Sequence, residues 1–485
     1  MRSVFFEESV STRLTKVVIL AGGEGTRLRP LTFTHPKPMV PIAREPVIHY
    51  LLTHLSKQGF TEVVMIVGYL RNQIMSYVGD GSRWGLRVNY AVEPDESHFG
   101  TAGSLKLAEH LLDGRFVVTQ ADTITDMPLT EAVMFHERSE SYATIVMTRV
   151  PDPWNFGVAV IDAEKRIVEF QEKPIKEEAK SDLVSTGFYV LEPEVLDHVL
   201  DEKWDFAKNV FPHLLGLGKK LSAFPIESFW VDVGNLDGYL KGMRWILEQD
   251  YKDSLAEGKT NSTFAGTKVA DNALITTPAL IESGAVVDRG ARIHRSVIKS
   301  DARVGEGAEL EDSMAMERSF IGPGCRITNS VIGQAATVRD GAEVRGSIIG
   351  PGCVIGSGAK LQHGARIWPN VHVREMETIT GIVAVPIDKA FYFYAAVGQY
   401  TGLIATSVDS FIKALEVAPI QSLEFHAKRR DFERWVREVI ASGELADSLE
   451  AIRRRALVGE ELRAALVEAV TKWAFKVSHS TGPHT

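Results

Sequence analysis

Gly22, Gly23 and Gly25 crowd a turn that is followed by Arg27 and, past a proline-rich stretch, by Lys37. Without Cβ atoms in the way, backbone amides at such a turn can close around an anion. Arg27 and Lys37 add a forked and a point cation, enough for one polyphosphate, while four prolines, Pro30 and Pro36 between them and Pro38 and Pro41 just beyond, keep the backbone extended. GGEGTRLRP has neither the Gly-Lys-Ser/Thr ending of a Walker loop nor the G-x-G-x-x-G of a dinucleotide fingerprint. Two acids carry the opposite charge. Asp122 ends the apolar run RFVVTQAD, where an unbound carboxylate is costly to bury, and Asp232 ends the aromatic-rich SFWVD. Together they are candidate ligands for Mg2+, which takes one or two protein carboxylates and completes its shell with substrate phosphate and water. Either acid alone reads equally well as a helix cap or turn residue.

The elements that would position these groups alternate regularly. From Thr15 to about Gln249 the short apolar runs KVVIL, EVVMIVGY, RVNYAVE and RFVVTQAD are separated by amphipathic stretches. That pattern predicts a Rossmann-like α/β domain with a mainly parallel sheet, whose ligands sit at the carboxyl ends of the strands. Gly100, Thr101, Ala102 and Gly103 open a predicted helix with Leu105, Ala108 and Leu112 on its face. Small residues there would let a flat base lie on the backbone, or would serve tight packing of helix on sheet. Glu172 and Lys173 close another strand; the carboxylate can accept from sugar hydroxyls and the ammonium can neutralise a phosphate. In isolation EKP is a charged turn.

The string LAGGEGTRLRPLTFTHPKPMVPI, Leu20 to Ile42, resembles the signature of the sugar-1-phosphate nucleotidylyltransferases, the NDP-sugar pyrophosphorylases. The likeness extends over residues 15–250. It implies an enzyme that joins a nucleoside triphosphate to a sugar 1-phosphate with Mg2+ and releases pyrophosphate. It assigns nucleotide binding to Leu20, Ala21, Gly22, Gly23, Gly25, Thr26 and Arg27, with Glu93 or the amides near Gly100, Thr101 and Ala102 facing the base. Gly157, Glu172, Lys173, Ser185 and Gly187 resemble the sugar-phosphate clamp. Asp122 and Asp232 would hold the metal, and Arg27, Lys37, Asp122 and Lys173 would be catalytic. The chain departs from the usual pattern at Ala121, where the family has Gly, and at Ser185, where it has Asn. PKPMVPI, GTAG, LEPEVL and WVDVGN, with the long repeat described below, most resemble mannose-1-phosphate guanylyltransferases; glucose-1-phosphate thymidylyl-, uridylyl- and adenylyltransferases share nearly all of these strings. A contrasting expectation, prompted by Ala121 and Ser185, is a non-catalytic sensor of sugar nucleotides.

From about Thr267 aliphatic residues recur every six positions, occasionally five: Ile281, Val287, Ile293, Ile298, Val304, Leu310, Met316, Ile321 and on to Val373. This hexapeptide repeat predicts a left-handed parallel β-helix over 260–385. Such solenoids often pair with other subunits, so a homo-oligomer is expected through this part. The fold also occurs in acyltransferases with a histidine base, and His294 and His363 lie in the repeats; both read better as surface fillers. Cys325 and Cys353 should sit on different faces and form no disulfide. Residues 390–478 predict a helical domain, with Phe432, Trp435, Val436, Val439 and Ile440 on one face, and FYFYAAVGQYTG is expected to cap the β-helix. Residues 1–14 read as an N-terminal extension.

The chain of 485 residues has 45% hydrophobic and 24% charged residues and a net charge of -9. That balance argues against a general nucleic-acid binder. No apolar run approaches a membrane span. Glu7 and Glu8 beside the short apolar patch at the start do not fit a secretory leader, so a cytoplasmic protein is expected.

Overall fold

The computed structural model describes residues 15–94, 99–200, 203–256, 266–362, 364–380, 385–440 and 442–479. Expectations for residues 1–14 and for His363 fall outside these. The chain forms two compact units, one of residues up to Gly25 and from Thr34 to Gly234, the other of Thr26–Phe33 and of Asn235 onward.

In the first unit Lys16–Ala21 is the central strand, parallel to Phe116–Gln120 on one side and to Glu62–Val67 on the other, with Arg87–Val92 parallel beyond. Both faces are buried, as β-branched runs in α/β sheets require. Val17, Ile19 and Ala21 enter one layer with Leu51, Leu52 and Leu55 of helix Val47–Lys57. Val18 enters the other with Leu105, Ala108 and Phe211. The far half of the sheet is mostly antiparallel, although Leu221–Pro225 runs parallel to Ala143–Arg149. Leu183–Leu191 runs antiparallel to Phe116–Gln120, Ala143–Arg149 and Gly157–Ile161, and Ile167–Glu172 runs antiparallel to Gly157–Ile161. The sheet is therefore mixed, and its parallel half carries the glycine-rich turn. A separate two-stranded ladder pairs Thr123–Thr125 with Trp230–Asp232.

The second unit is built on three parallel sheets of short strands that wind the left-handed parallel β-helix, strands Lys268–Val269 to Thr378–Thr380. The aliphatics stack in register, for example Val287 on Val304, Ile321, Val338 and Ile355. One inward position differs from the sequence reading. The ladder runs Ile298, Ala315, Ile332, so Ala315 and not Met316 faces the core.

The five-residue spacings have a cause. At that corner of each coil a residue in the left-handed region (Arg295, Asp312, Asn329, Gly346, φ 42 to 55) precedes a fully buried serine. Ser313 Oγ donates to Glu311 O at 2.6 Å and accepts the amide of Ser330 at 3.2 Å, and Ser296 and Ser330 repeat the pattern with partners 17 residues on. The hydroxyls thus take up amides that the shortened corner strands.

Helix Leu236–Ala256 belongs to this unit, where Tyr239 Oη lies 2.8 Å from Met314 Sδ and Arg244 lies 3.6 Å from Asp312. Cys325 and Cys353 are free and buried, ahead of strands in different sheets. His294 ends one repeat strand and is half-buried.

Toward the C-terminus the aromatic string forms a hairpin, Phe391–Ala396 with Gln399–Ala405. It is followed by helices from Val408 to His479, whose core includes Phe411, Phe432, Trp435 and Leu449. No helix among the described residues is long and apolar enough to cross a membrane.

Candidate active site

Three of the chemically singled-out side chains meet in the first unit. Pro36 starts a one-turn 3-10 helix, Lys37–Met39, with buried Pro38, which fixes the backbone from which Lys37 projects. Its Nζ contacts Asp122 Oδ2 and lies 3.1 Å from Asp232 Oδ1. The Lys37 and Asp122 side chains are 14% and 8% exposed, and Asp232 35%. The two acids are joined by the short ladder in which Asp232 is the partner of Thr123 and the N–H of Val233 donates to Asp122 O at 2.9 Å. Asp122 Oδ1 is buried with no hydrogen-bond partner. An ionised oxygen in that state is costly. Two neighbouring carboxylates, one with an unsatisfied oxygen, fit a hard divalent cation that draws its other ligands from phosphate and water. Among the described residues no third Asp, Glu, His or Cys joins them as a metal cluster.

The glycine-rich turn follows the central strand. Gly25 has φ 66. A Cβ on Gly22 would stand 2.2 Å from Glu93 Oε2, so any side chain there would push the Glu93 carboxylate aside. Glu93 directly follows strand Arg87–Val92, the next but one from the central strand, and its Oε1 accepts from Ser104 Oγ at 2.5 Å. Gly68, which a Cβ would bring within 2.7 Å of Glu93 Oε2, completes this cradle. The carboxyl ends of the four parallel strands therefore align Gly22, Gly68, Glu93 and Asp122 along one edge.

Thr101 and Ala102 behave differently from the expectation of open amides. The Thr101 N–H donates to Asp205 Oδ1 at 3.0 Å, and those of Ala102 and Gly103 donate to Trp204 O at 2.9 and 3.1 Å. Of the two alternatives for base contact, Glu93 or these amides, the amides are occupied within the chain. Gly100 has φ 73, and a Cβ on it would meet Trp204 O at 2.5 Å. The helix it opens is a single α turn continued as a 3-10 helix, Ser104–Leu111.

Glu172 and Lys173 close the hairpin in which Glu172 pairs with Gly157. A Cβ on Gly157 would meet Phe170 Cζ at 2.7 Å and Glu172 Oε2 at 3.2 Å. Lys173 has φ 47, and its largely exposed ammonium lies 3.8 Å from Glu172 Oε1. Burial raises the Glu172 carboxyl above its ordinary range; Lys173 and Lys208 oppose the shift and Asp205 adds to it. Ser185 Oγ accepts from Gly187 N at 3.3 Å, at a register shift of strand Leu183–Leu191. Gly187 has φ 81 and backs onto Gln120, two residues before Asp122. Tyr189, its hydroxyl pushed up to about 12 by burial, lies 3.5 Å from Ser185 Oγ.

Arg27 is exposed on the 3-10 turn Thr26–Leu28, within the segment that belongs to the second unit. Gly68, Ser104, Asp205 and Lys208 were not singled out from sequence. Gly68 ends EVVMIVG much as the glycine-rich turn ends its strand, and Asp205 opens DFAKNVFP, so position after a strand or before a helix was the signal available.

The chain matches the family described as Nucleotidyl transferase over residues 16–249 and the GMPPB C-terminal domain over residues 263–352. It is 34% identical to the UTP--glucose-1-phosphate uridylyltransferase of Synechocystis over 58% of this chain and 82% of that one. It is 34% identical to the probable mannose-1-phosphate guanylyltransferase 3 of Oryza sativa, over 58% and 81% of the two chains. With the mannose-1-phosphate guanyltransferase of Saccharomyces cerevisiae it shares 36% identity over 54% and 72%.

Proposed function

Because this chain belongs to the sugar-1-phosphate nucleotidylyltransferase family of nucleotidyl transferases, we propose that it makes its NDP-sugar from GTP and mannose 1-phosphate with Mg2+. That it is a nucleotidyltransferase forming an NDP-sugar from an NTP and a sugar 1-phosphate follows from the family, whose members generally use a divalent metal. The observation that carries the guanylyl reading is the match to the GMPPB C-terminal domain beyond the catalytic region, together with the rice and yeast relatives. The cyanobacterial relative supports a second reading, UTP with glucose 1-phosphate. Pyrophosphate release from each triphosphate paired with each sugar 1-phosphate separates the two; fastest turnover with any pair other than GTP and mannose 1-phosphate overturns the first.

In the reaction an oxygen of the sugar 1-phosphate attacks the α-phosphorus in line, a new P–O bond forms, and the bond to the bridging oxygen breaks so that pyrophosphate leaves. The chain's part is alignment and charge, and no covalent intermediate is needed. The turn from Leu20 to Thr26 cradles the triphosphate through its amides, Arg27 and Lys37 balance charge on the leaving pyrophosphate, and Glu93 faces the base. Lys173 holds the attacking phosphate, Glu172 accepts from sugar hydroxyls, and Gly157, Ser185 and Gly187 shape that pocket. Asp122 and Asp232 would hold the Mg2+, which when bound would neutralise phosphate charge and polarise the phosphoryl group. The unsatisfied Asp122 Oδ1 supports this. With the two carboxylates engaged by a metal, the Lys37 ammonium that now contacts them would turn to the phosphates. The protein acts in the cytoplasm on dissolved substrates and self-associates through its β-helix. Light scattering tests the last point, and a strictly monomeric chain contradicts it.

A further inference from the structure

Asp205 occupies the N-cap position of the turn Phe206–Val210, yet its side chain makes no capping bond. Its Oδ1 instead accepts both the backbone N–H of Thr101 at 3.0 Å and the Thr101 hydroxyl at 3.2 Å. The Phe206 N–H donates back to Thr101 Oγ1 at 3.2 Å, and Trp204 donates to Phe99 O at 2.8 Å while accepting the amides of Ala102 and Gly103. The strap Trp204–Phe206 is thus fastened to the Gly100–Gly103 turn by its backbone and by one carboxylate.

The same strap reaches the other half of the site. The Phe206 ring lies 4.9 Å from that of Tyr189, whose hydroxyl approaches Ser185. Asp205 and Lys208 are both close enough to act electrostatically on Glu172.

We propose that Asp205 is a positioning residue that couples the two substrate pockets, holding the Gly100–Gly103 turn in register with the Glu172 hairpin so that bound nucleotide tightens the hold on sugar 1-phosphate. This rests on the assignment of Glu172 and Lys173 to the sugar phosphate. The carboxylate acts through hydrogen bonds to Thr101, so an amide oxygen can replace it and a methyl group cannot.

The test is calorimetric, on the full chain with Mg2+. Mannose 1-phosphate is titrated with and without α,β-methylene GTP, whose carbon bridge blocks turnover. Wild type is expected to bind the sugar phosphate at least about fivefold more tightly with the analogue present, the low end of ordinary coupling between sites. Asp205→Ala loses that factor while Asp205→Asn keeps it, a rescue that a general loss of packing would not give. Should the alanine variant not fold, Thr101→Val, lacking the hydroxyl, is expected to reduce the factor. Wild-type coupling in Asp205→Ala or in Thr101→Val, or no coupling in wild type, overturns the proposal. Lys173→Ala is measured alongside. If it binds mannose 1-phosphate as wild type does, the clamp assignment fails and the proposal with it; if it loses affinity while Asp205→Ala stays coupled, only the role of Asp205 is overturned.

Discussion

The carbonyl of Asp122 accepts the amide N–H of Val233 at 2.9 Å. This bond locks two strand ends, far apart in sequence, into one ladder and sets Asp232 beside Asp122. With both acids fixed by backbone, a single ammonium, that of Lys37, can touch both.

Lys37→Met leaves Asp122 buried without its cation. Removing one partner of a buried pair costs about 3–5 kcal/mol, so the variant is expected to melt well below wild type in the absence of metal. Mg2+ should restore more of the loss in the variant than it adds to wild type, since the Lys37 ammonium no longer competes for the carboxylates. Thermal unfolding with and without Mg2+ checks this; an unshifted melting temperature contradicts it.

The role proposed for Glu172 predicts an acid limb in the reaction. Its carboxyl is raised by burial, so the ionised, hydrogen-bond-accepting form is lost as pH falls through a range above that of an ordinary glutamate. The kcat/KM for sugar 1-phosphate is expected to fall there. Lys208→Met removes a charge that favours ionisation and should move the limb to higher pH, while Glu172→Gln should abolish it. A pH profile of initial rates decides, and an identical limb in Glu172→Gln rejects the assignment.

Gly22→Ala places a methyl group where Glu93 Oε2 stands 2.2 Å away. The displaced carboxylate loses Ser104, a charge-assisted hydrogen bond worth about 1.5–3 kcal/mol. The KM for the triphosphate is expected to rise by about tenfold or more, at 1.4 kcal/mol per decade, with the KM for sugar 1-phosphate little changed. Steady-state kinetics with each substrate varied in turn provide the check, and an unchanged nucleotide KM contradicts the role of Glu93.

Ser313→Ala removes the acceptor of the buried Ser330 amide. An unsatisfied buried donor costs about 1–3 kcal/mol, and chemical denaturation of the β-helix should show a loss of that size. Ser→Ala at an exposed position of the repeat serves as reference; equal midpoints for the two would remove the serine column from the account.

Much of this was legible in the chain. The period of Ile281, Val287 and Ile293 gave the solenoid because inward aliphatics must recur once per side. Met316 was misassigned because the side it belongs to is one residue short, and the compensating buried serines do not stand out as an apolar pattern does. Asp122 and Asp232 were readable as strand-end acids, but the ladder that joins them is three residues long and has no periodicity of its own. Within the mainly parallel expectation, the antiparallel pairs around Leu183–Leu191 are not announced, because that strand, buried on both faces, carries the same apolar signature as a parallel one. The pairing of the Thr101 and Ala102 amides with Asp205 and Trp204 is a tertiary contact that no local pattern announces.

The most direct test is Mg2+-dependent pyrophosphate release from GTP and mannose 1-phosphate by wild type, Asp122→Asn and Asp232→Asn, each shown to be folded by circular dichroism. If the two acids hold the metal against the triphosphate, each variant loses about 10²-fold or more in turnover, as removal of a positioned charge does. Turnover near wild type in either folded variant would contradict it.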